Sequence, residues 1–151
     1  MQGVLEQVPA SAQHAQLLLA QARAHIRSST LICDQDPDGA YALLYDAARK
    51  ALAAVLANQG LRTTTRLGHH RTVYEVVRAQ LDPPLGAELR PFGRMRSLRS
   101  AAEYPSLDEA PLTEDHVLAD AAKAQVIVEV CAQVLGAMPV YKRDQGHRDL
   151  Q

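Results

Sequence analysis

The sequence contains few of the residues that build aromatic cores, disulfide frameworks or membrane spans. Its 151 residues include no tryptophan, one phenylalanine and two cysteines. Two cysteines exclude both a fold held by several disulfides and a four-cysteine zinc site. No apolar run reaches the roughly 18 residues that a membrane helix needs. The first residues lack the basic and apolar regions of a secretory signal peptide, so the sequence predicts a cytoplasmic protein with no membrane partner.

Apolar residues nevertheless make up 47% of the chain, and alanine, leucine and valine must form the core. Alanine has the lowest free-energy cost in a helix. Apolar positions recur at helical spacing, and no alternating β-pattern is present. The sequence therefore predicts the all-α class, an antiparallel up-and-down bundle of four to five helices. Residues 1–138 are predicted to form this single domain, and residues 139–151 a polar, flexible tail.

Capping signals divide the chain into helices. Asp36 followed by Pro37 is typical of a helix start, and Gly60 of a helix end. Thr113 is a further predicted cap, and residues 61–68 are predicted to be a loop. The predicted helices span residues 11–32, 37–58, 69–81, 91–103 and 113–138, with a short turn at 85–90.

The acidic run around Asp36 resembles the start of a calcium-binding loop. Such a loop requires a carboxylate at its twelfth position, and counting from Asp34 this position is Tyr45. Pro37 and the helical pattern after it favour a helix cap instead. The sequence therefore predicts neither a metal site nor a cofactor.

Charge is distributed unevenly along the chain. Residues 62–99 carry eight arginines, no lysine and three acidic residues, whereas residues 100–151 carry four basic and nine acidic residues. Arginine forms bidentate hydrogen bonds to phosphate and carboxylate groups. The arginine cluster thus indicates an anionic partner such as RNA. A solvated face that is neutralised by the acidic last third is the alternative.

The fourth predicted helix, at residues 91–103, places charged side chains on the same face as Phe92. At 100° per residue, Arg96, Arg99 and Glu103 all lie within roughly 40° of that ring, and Arg94 lies about 160° away. If the ring faces the core, the two arginines on its face point into the bundle or an interface. They form either an internal i,i+4 ion pair or a cleft of preset donors for a phosphodiester.

Two stretches of the chain resemble proteins of the HEPN superfamily. Residues 43–81 combine a YDAARK helix, a Gly-Leu-Arg loop and a Gly-His-His helix start, and residues 92–105 read FGRMRSLRSAAEYP. With the closing helix, the resemblance covers residues 15–137. It implies a helical bundle, a homodimer, and a role in toxin–antitoxin or RNA-directed defence systems. Many members of this superfamily are metal-independent endoribonucleases.

The resemblance also implies a catalytic signature: an arginine, a polar residue, a few variable residues and a histidine. Arg99 occupies the first place, Ser100 replaces the usual asparagine, aspartate or histidine at the second, and Tyr104 stands at the place of the histidine. A phenol has an ordinary pKa of about 10 and is a poor general base near pH 7. Arg99 and Tyr104 are the catalytic candidates of a possible ribonuclease. A histidine elsewhere in the chain, His69, His70 or His116, is the alternative base.

The candidates for RNA-phosphate binding are Arg96, Arg99, Ser100, His69 and His70. The two adjacent histidines point roughly 100° apart on a helix and are not predicted to share a metal. The resemblance further implies an antitoxin partner, such as a nucleotidyltransferase that modifies a tyrosine. That tyrosine lies two places after the family's histidine, where this chain has Ser106. A non-catalytic interaction or adaptor module and a small-ligand, nucleotide-binding protein are the alternative functions.

Overall fold

Six helices and two short strands make up the part of the chain that the computed structural model describes, residues 5–63, 69–81 and 85–137. The helices are α1 (Ala12–Ile32), α2 (Pro37–Gln59), α3 (His69–Leu81), α4 (Gly86–Leu89), α5 (Pro91–Glu103) and α6 (Glu114–Val134), and the strands are β1 (Leu5–Gln7) and β2 (Leu61–Thr63). The predicted all-α helical bundle is confirmed. The short turn predicted at residues 85–90 contains α4, a single helical turn.

The ends of α2 lie where the capping signals predicted them. The Asp36 side chain accepts a hydrogen bond from the Gly39 backbone N–H at 2.9 Å, and Pro37 is the first helical residue. Gly60 ends the helix in the left-handed conformation, with φ of 78°. This conformation favours glycine because it has no Cβ. The cap interpretation of the acidic run is therefore confirmed.

Helix α2 is the central element of the core. It buries twelve residues, five of them alanines, and both α1 and α6 pack against it. Small side chains allow neighbouring helices to approach closely. Helix α6 ends at Val134, four residues before the predicted end, and Gly136 with its low helix propensity follows.

The predicted loop at residues 61–68 begins instead with a strand. Strand β2 pairs antiparallel with β1, and an ion pair between Arg62 and Glu6 crosses the two strands. A three-residue strand is too short for an alternating pattern to reveal it. The strand pair adjoins Gly60, where an added Cβ would lie 2.7 Å from the carbonyl oxygen of Val8.

Three aromatic rings fix α5 against α2 and α3. Phe92 is 1% exposed and stacks on Tyr45 of α2, with ring centroids 5.3 Å apart and an interplanar angle of 19°. On α3, the ring of Tyr74 lies 5.2 Å from the Phe92 ring. Phe92 therefore faces the core, which the sequence analysis had stated only as a condition, and its ring contacts position the arginines of α5.

The predicted flexible tail, residues 139–151, lies outside the described residues. Within the described ranges, none of the helices combines the length and the apolar character that crossing a membrane requires.

Candidate functional site

The carboxyl-terminal half of α5 and the loop after it line an open pocket of about 640 Å³. Its lining includes Arg96, Arg99, Ser100 and Tyr104. The structure thus brings together four of the residues that the sequence singled out. The other two, His69 and His70, begin α3, but their side chains lie outside the described part of the chain.

Arg99 makes two contacts that hold its guanidinium group at the pocket. Its Nη1 donates a hydrogen bond to Oε2 of Glu103 at 2.8 Å, and its guanidinium carbon lies 5.5 Å from the centroid of the Tyr45 ring. The i,i+4 ion pair that the sequence offered as one of two alternatives is therefore present, but both side chains are partly exposed rather than internal, and Arg99 also lines the pocket. An ion pair this exposed stabilises the fold by less than about 1 kcal/mol. Its main effects are on the orientation and net charge of the site.

Arg96 has no such neutralising partner. It lines the same pocket, and among the described residues it makes neither a hydrogen bond nor an ion pair. Its positive charge lowers the pKa of the nearby Tyr45, against the larger opposite effect of burial. Among the described residues, Arg96 is therefore a cation of the pocket that no hydrogen bond or ion pair engages, and the carboxylate of Glu109 lines the same pocket.

Hydroxyl groups and the carboxylate of Glu109 are the remaining polar side-chain groups among the described residues that line the pocket. Ser97 donates a hydrogen bond to the Gly93 carbonyl at 3.4 Å, and Ser106 accepts one from a backbone N–H at 3.2 Å. The hydroxyls of Ser100 and Tyr104 make no hydrogen bond to another described residue. These two groups are available to a ligand, and the Tyr104 side chain is largely exposed.

Tyr45 is not a proton acceptor at neutral pH. Burial raises the pKa of Tyr45 to about 12, and the nearby Arg96 and Arg99 offset only part of that effect. Its role in the pocket is that of an aromatic surface beneath Arg99. Among the described side chains that line the pocket, none is an imidazole.

His116 is engaged elsewhere. Its Nδ1 accepts a hydrogen bond from the Thr113 backbone N–H at 3.0 Å, and Thr113 Oγ1 accepts one from the His116 N–H at 3.4 Å. This reciprocal pair is a capping box at the start of α6. His116 does not line the pocket, so it is not placed to act there as the alternative general base that the sequence analysis considered.

A buried carboxylate that the sequence analysis missed holds α5 from its other side. Asp120 of α6 is 2% exposed; its Oδ2 accepts a hydrogen bond from the Tyr41 hydroxyl at 2.7 Å, and its Oδ1 is paired with Arg94. Lys123 lies 3.4 Å from the same Oδ1. Burial and the hydrogen bond to Asp120 raise the pKa of Tyr41, so its hydroxyl stays a donor. The cluster therefore ties α2, α5 and α6 together.

The sequence contained a signal for this cluster. Asp120 lies three residues after Val117 and one before Ala121, within the apolar stripe of the last predicted helix. An acidic residue on a buried face needs partners, because burial of an unpaired charge is very costly. Its principal cationic partner is Arg94, which the helical geometry placed away from Phe92.

Comparison with known proteins identifies no relative: no family model, no curated protein and no solved structure matches the chain. A functional proposal therefore depends on the residues of the chain and on the geometry of the pocket.

Proposed function

We propose that the protein is a HEPN-like helical bundle that binds RNA at the α5 pocket, in a toxin–antitoxin or defence setting. The observation that carries the proposal is Arg96, which makes no hydrogen bond or ion pair to another described residue and shares the pocket with Arg99, Ser100 and Tyr104. The proposal includes a homodimer in which the two copies of α5 lie close together, and an antitoxin partner such as a nucleotidyltransferase.

The pocket has the groups that a phosphodiester requires. A guanidinium group carries five N–H donors, and Arg99 commits one of its donors to Glu103. Contact with the Tyr45 ring orients the donors that remain. Orientation before binding reduces the side-chain entropy lost when a ligand binds. Arg96 and the Ser100 hydroxyl supply further donors to the same anion.

Replacing Arg96 with alanine is expected to weaken the binding of single-stranded RNA. The loss is about 1–3 kcal/mol if the contact is a charge-assisted hydrogen bond. Fluorescence anisotropy with a labelled single-stranded RNA, repeated at several salt concentrations, measures both the affinity and its salt dependence. The slope of log K against log salt is expected to decrease by about 0.7 for one lost phosphate contact.

Arg27→Ala is the matched control. Arg27 lies on α1 and is exposed, and its side chain makes no hydrogen bond or ion pair to another described residue, so the variant loses the same charge away from the pocket. It is expected to bind RNA as the wild type does. Equal weakening by the two variants would show that RNA recognises overall charge, and an absence of RNA binding by the wild type would refute the proposal.

Any cleavage of RNA by the wild type is expected to be slow, and Tyr104→His is expected to accelerate it. The substitution restores an imidazole, which titrates near neutral pH, at the family's place. Tyr104 is exposed on the pocket, so the change leaves the core intact. Gel analysis of labelled RNA measures the rate, with Tyr104→Phe as the control. Rapid cleavage by both the wild type and Tyr104→Phe would assign proton transfer to another residue.

A non-catalytic interaction module is the second candidate function. Leu107 is fully exposed on the loop between Pro105 and Pro111. Contact with a protein partner would remove this apolar side chain from water, which is favourable. In this function, Leu107→Ser abolishes association with the partner, and Arg96→Ala does not. RNA binding that depends on Arg96 would favour the first candidate.

A further inference from the structure

We infer that Tyr104 is a stacking surface for an unpaired base of RNA, beside the arginines of the α5 pocket. The inference rests on the proposed RNA-binding function and deepens it, because it names the class of RNA that the pocket accepts: a single strand with free bases. Tyr104 lines the pocket together with Arg96 and Arg99, and its side chain is 73% exposed. In this role the ring, rather than the hydroxyl, selects the ligand.

The exposure of Tyr104 distinguishes it from the other aromatic residues that the structure describes, which are buried or half-buried. Tyr45 also lines the pocket, but Phe92 stacks on its ring and the Arg99 guanidinium carbon lies 5.5 Å from its centroid. The Tyr104 ring contacts neither another ring nor a cation among the described residues. Most of this ring is therefore open to a ligand, and covering it removes apolar surface from water.

The end of α5 places the ring at the pocket. Tyr104 follows the last residue of α5 as its cap, and its backbone N–H donates to the Ser100 carbonyl at 3.0 Å. Pro105 disfavours helical backbone at the residue before it, so the chain leaves the helix at Tyr104, with φ of −122° and ψ of 75°. Backbone interactions thus position a side chain that stays outside the core.

An aromatic ring and guanidinium groups in one pocket match the two parts of a nucleotide. Each phosphate of RNA joins two riboses that carry bases, so a phosphate bound by Arg96 brings a base to the pocket. The volume of about 640 Å³ lies within the roughly 300–1,000 Å³ of small-ligand sites. Glu109 lines the same pocket, and its negative charge opposes part of the attraction to a phosphate. Stacking adds a contribution that does not depend on this balance of charge.

Stacking on Tyr104 requires a base with a free face. In a duplex, the neighbouring base pairs cover both faces of each base, whereas an unpaired base can leave the stack and lie against an aromatic side chain. Such stacking tolerates any sequence, because every base has a π-face. The ligand class is therefore single-stranded RNA of any sequence.

The test compares two strands that carry the same phosphates. One is a fluorescently labelled uridylate hexamer, and the other is the same ribose-phosphate strand without bases. Fluorescence anisotropy with the full chain, at one salt concentration, measures both affinities. The uridylate strand is expected to bind about fivefold to tenfold more tightly, which is the lower end of the effect of one base stacked on an aromatic side chain.

Substitution assigns this preference to the ring. Tyr104→Leu keeps a large apolar side chain but removes the π-face, and the ratio of the two affinities is expected to fall toward one. Leu31→Ala is the matched control, because Leu31 is 79% exposed on α1 and does not line the pocket. Its ratio is expected to equal that of the wild type. Circular dichroism verifies that each variant is folded.

A spectroscopic signature reports the contact directly. The chain contains no tryptophan, so Tyr104→Trp introduces a single indole at the pocket. The uridylate strand is expected to quench the indole fluorescence as it binds, because a stacked base quenches an indole. The strand without bases is expected to leave the fluorescence nearly unchanged.

Three results would each overturn the inference even if RNA binds through Arg96: a wild-type ratio of one, a ratio that Tyr104→Leu leaves unchanged, or uridylate binding to Tyr104→Trp without quenching. If the uridylate strand does not bind the wild type at all, the proposed function fails first, and the stacking fails with it. The titration of Arg96→Ala thus distinguishes the two failures.

Discussion

Replacing Asp120 with alanine is expected to lower the free energy of unfolding by about 3 kcal/mol. The change leaves the buried Tyr41 hydroxyl without its acceptor and removes the charge that Arg94 contacts. The loss lies at the lower end of the range for buried ion pairs because Arg94 and Lys123 are about half exposed and water can solvate them. Urea denaturation measures it, and the expected decrease in Tm is about 6–12 °C.

Two milder variants separate the parts of this cluster. Asp120→Asn keeps an oxygen that accepts from Tyr41, and Tyr41→Phe keeps the charge; each is expected to cost about 1 kcal/mol. An Asp120→Ala variant as stable as the wild type would show that the cluster does not hold α5 in place.

Replacing Phe92 with alanine is expected to be at least as damaging. Phe92 is 1% exposed and contacts the rings of Tyr45 and Tyr74, so its removal leaves a cavity between α2, α3 and α5. Truncation of a buried phenylalanine typically costs about 3–5 kcal/mol. Urea denaturation again measures the loss.

Phe92→Leu is the control for this cavity, with an expected cost below that of alanine because leucine fills much of the space. The alanine variant also removes the ring on which Tyr45 stacks, and Tyr45 in turn lies beneath Arg99. RNA affinity is therefore expected to decrease in the fraction of the alanine variant that remains folded. Unchanged stability of Phe92→Ala would contradict the assigned place of the ring in the core.

The helices were predictable because their ends carry local chemical signals. Asp36 and Pro37 start α2, and Gly60 ends it, through interactions between residues a few positions apart. The residues that share one face of α5 were also predictable, although the sequence did not show which face packs against the core. Phe92 is the single phenylalanine of the chain, and helical geometry alone placed Arg96 and Arg99 near it.

Contacts between residues far apart in the sequence were not predictable in the same way. The hydrogen bond from Tyr41 to Asp120 joins residues 79 positions apart, and the pair of Arg94 and Asp120 joins residues 26 apart. Periodicity identifies a buried face but not the group opposite it. Similarly, the gathering of Arg96, Ser100 and Tyr104 followed from α5, whereas the place of Tyr45 beneath Arg99 required the packing of α2 on α5.

The pairing of β1 with β2 has a consequence for the order in which the chain assembles. The two strands lie at the outer ends of the α1–α2 hairpin, and the Val8 N–H donates to the Gly60 carbonyl at 2.8 Å. Residues 5–63 thus contain both partners of the β1–β2 strand pair and of the hydrogen bond between Val8 and Gly60. During synthesis, this segment is complete before any of the α5 arginines has been made, and α6, which also packs on α2, is made after α5. The amino-terminal hairpin can therefore serve as the surface on which the later helices fold.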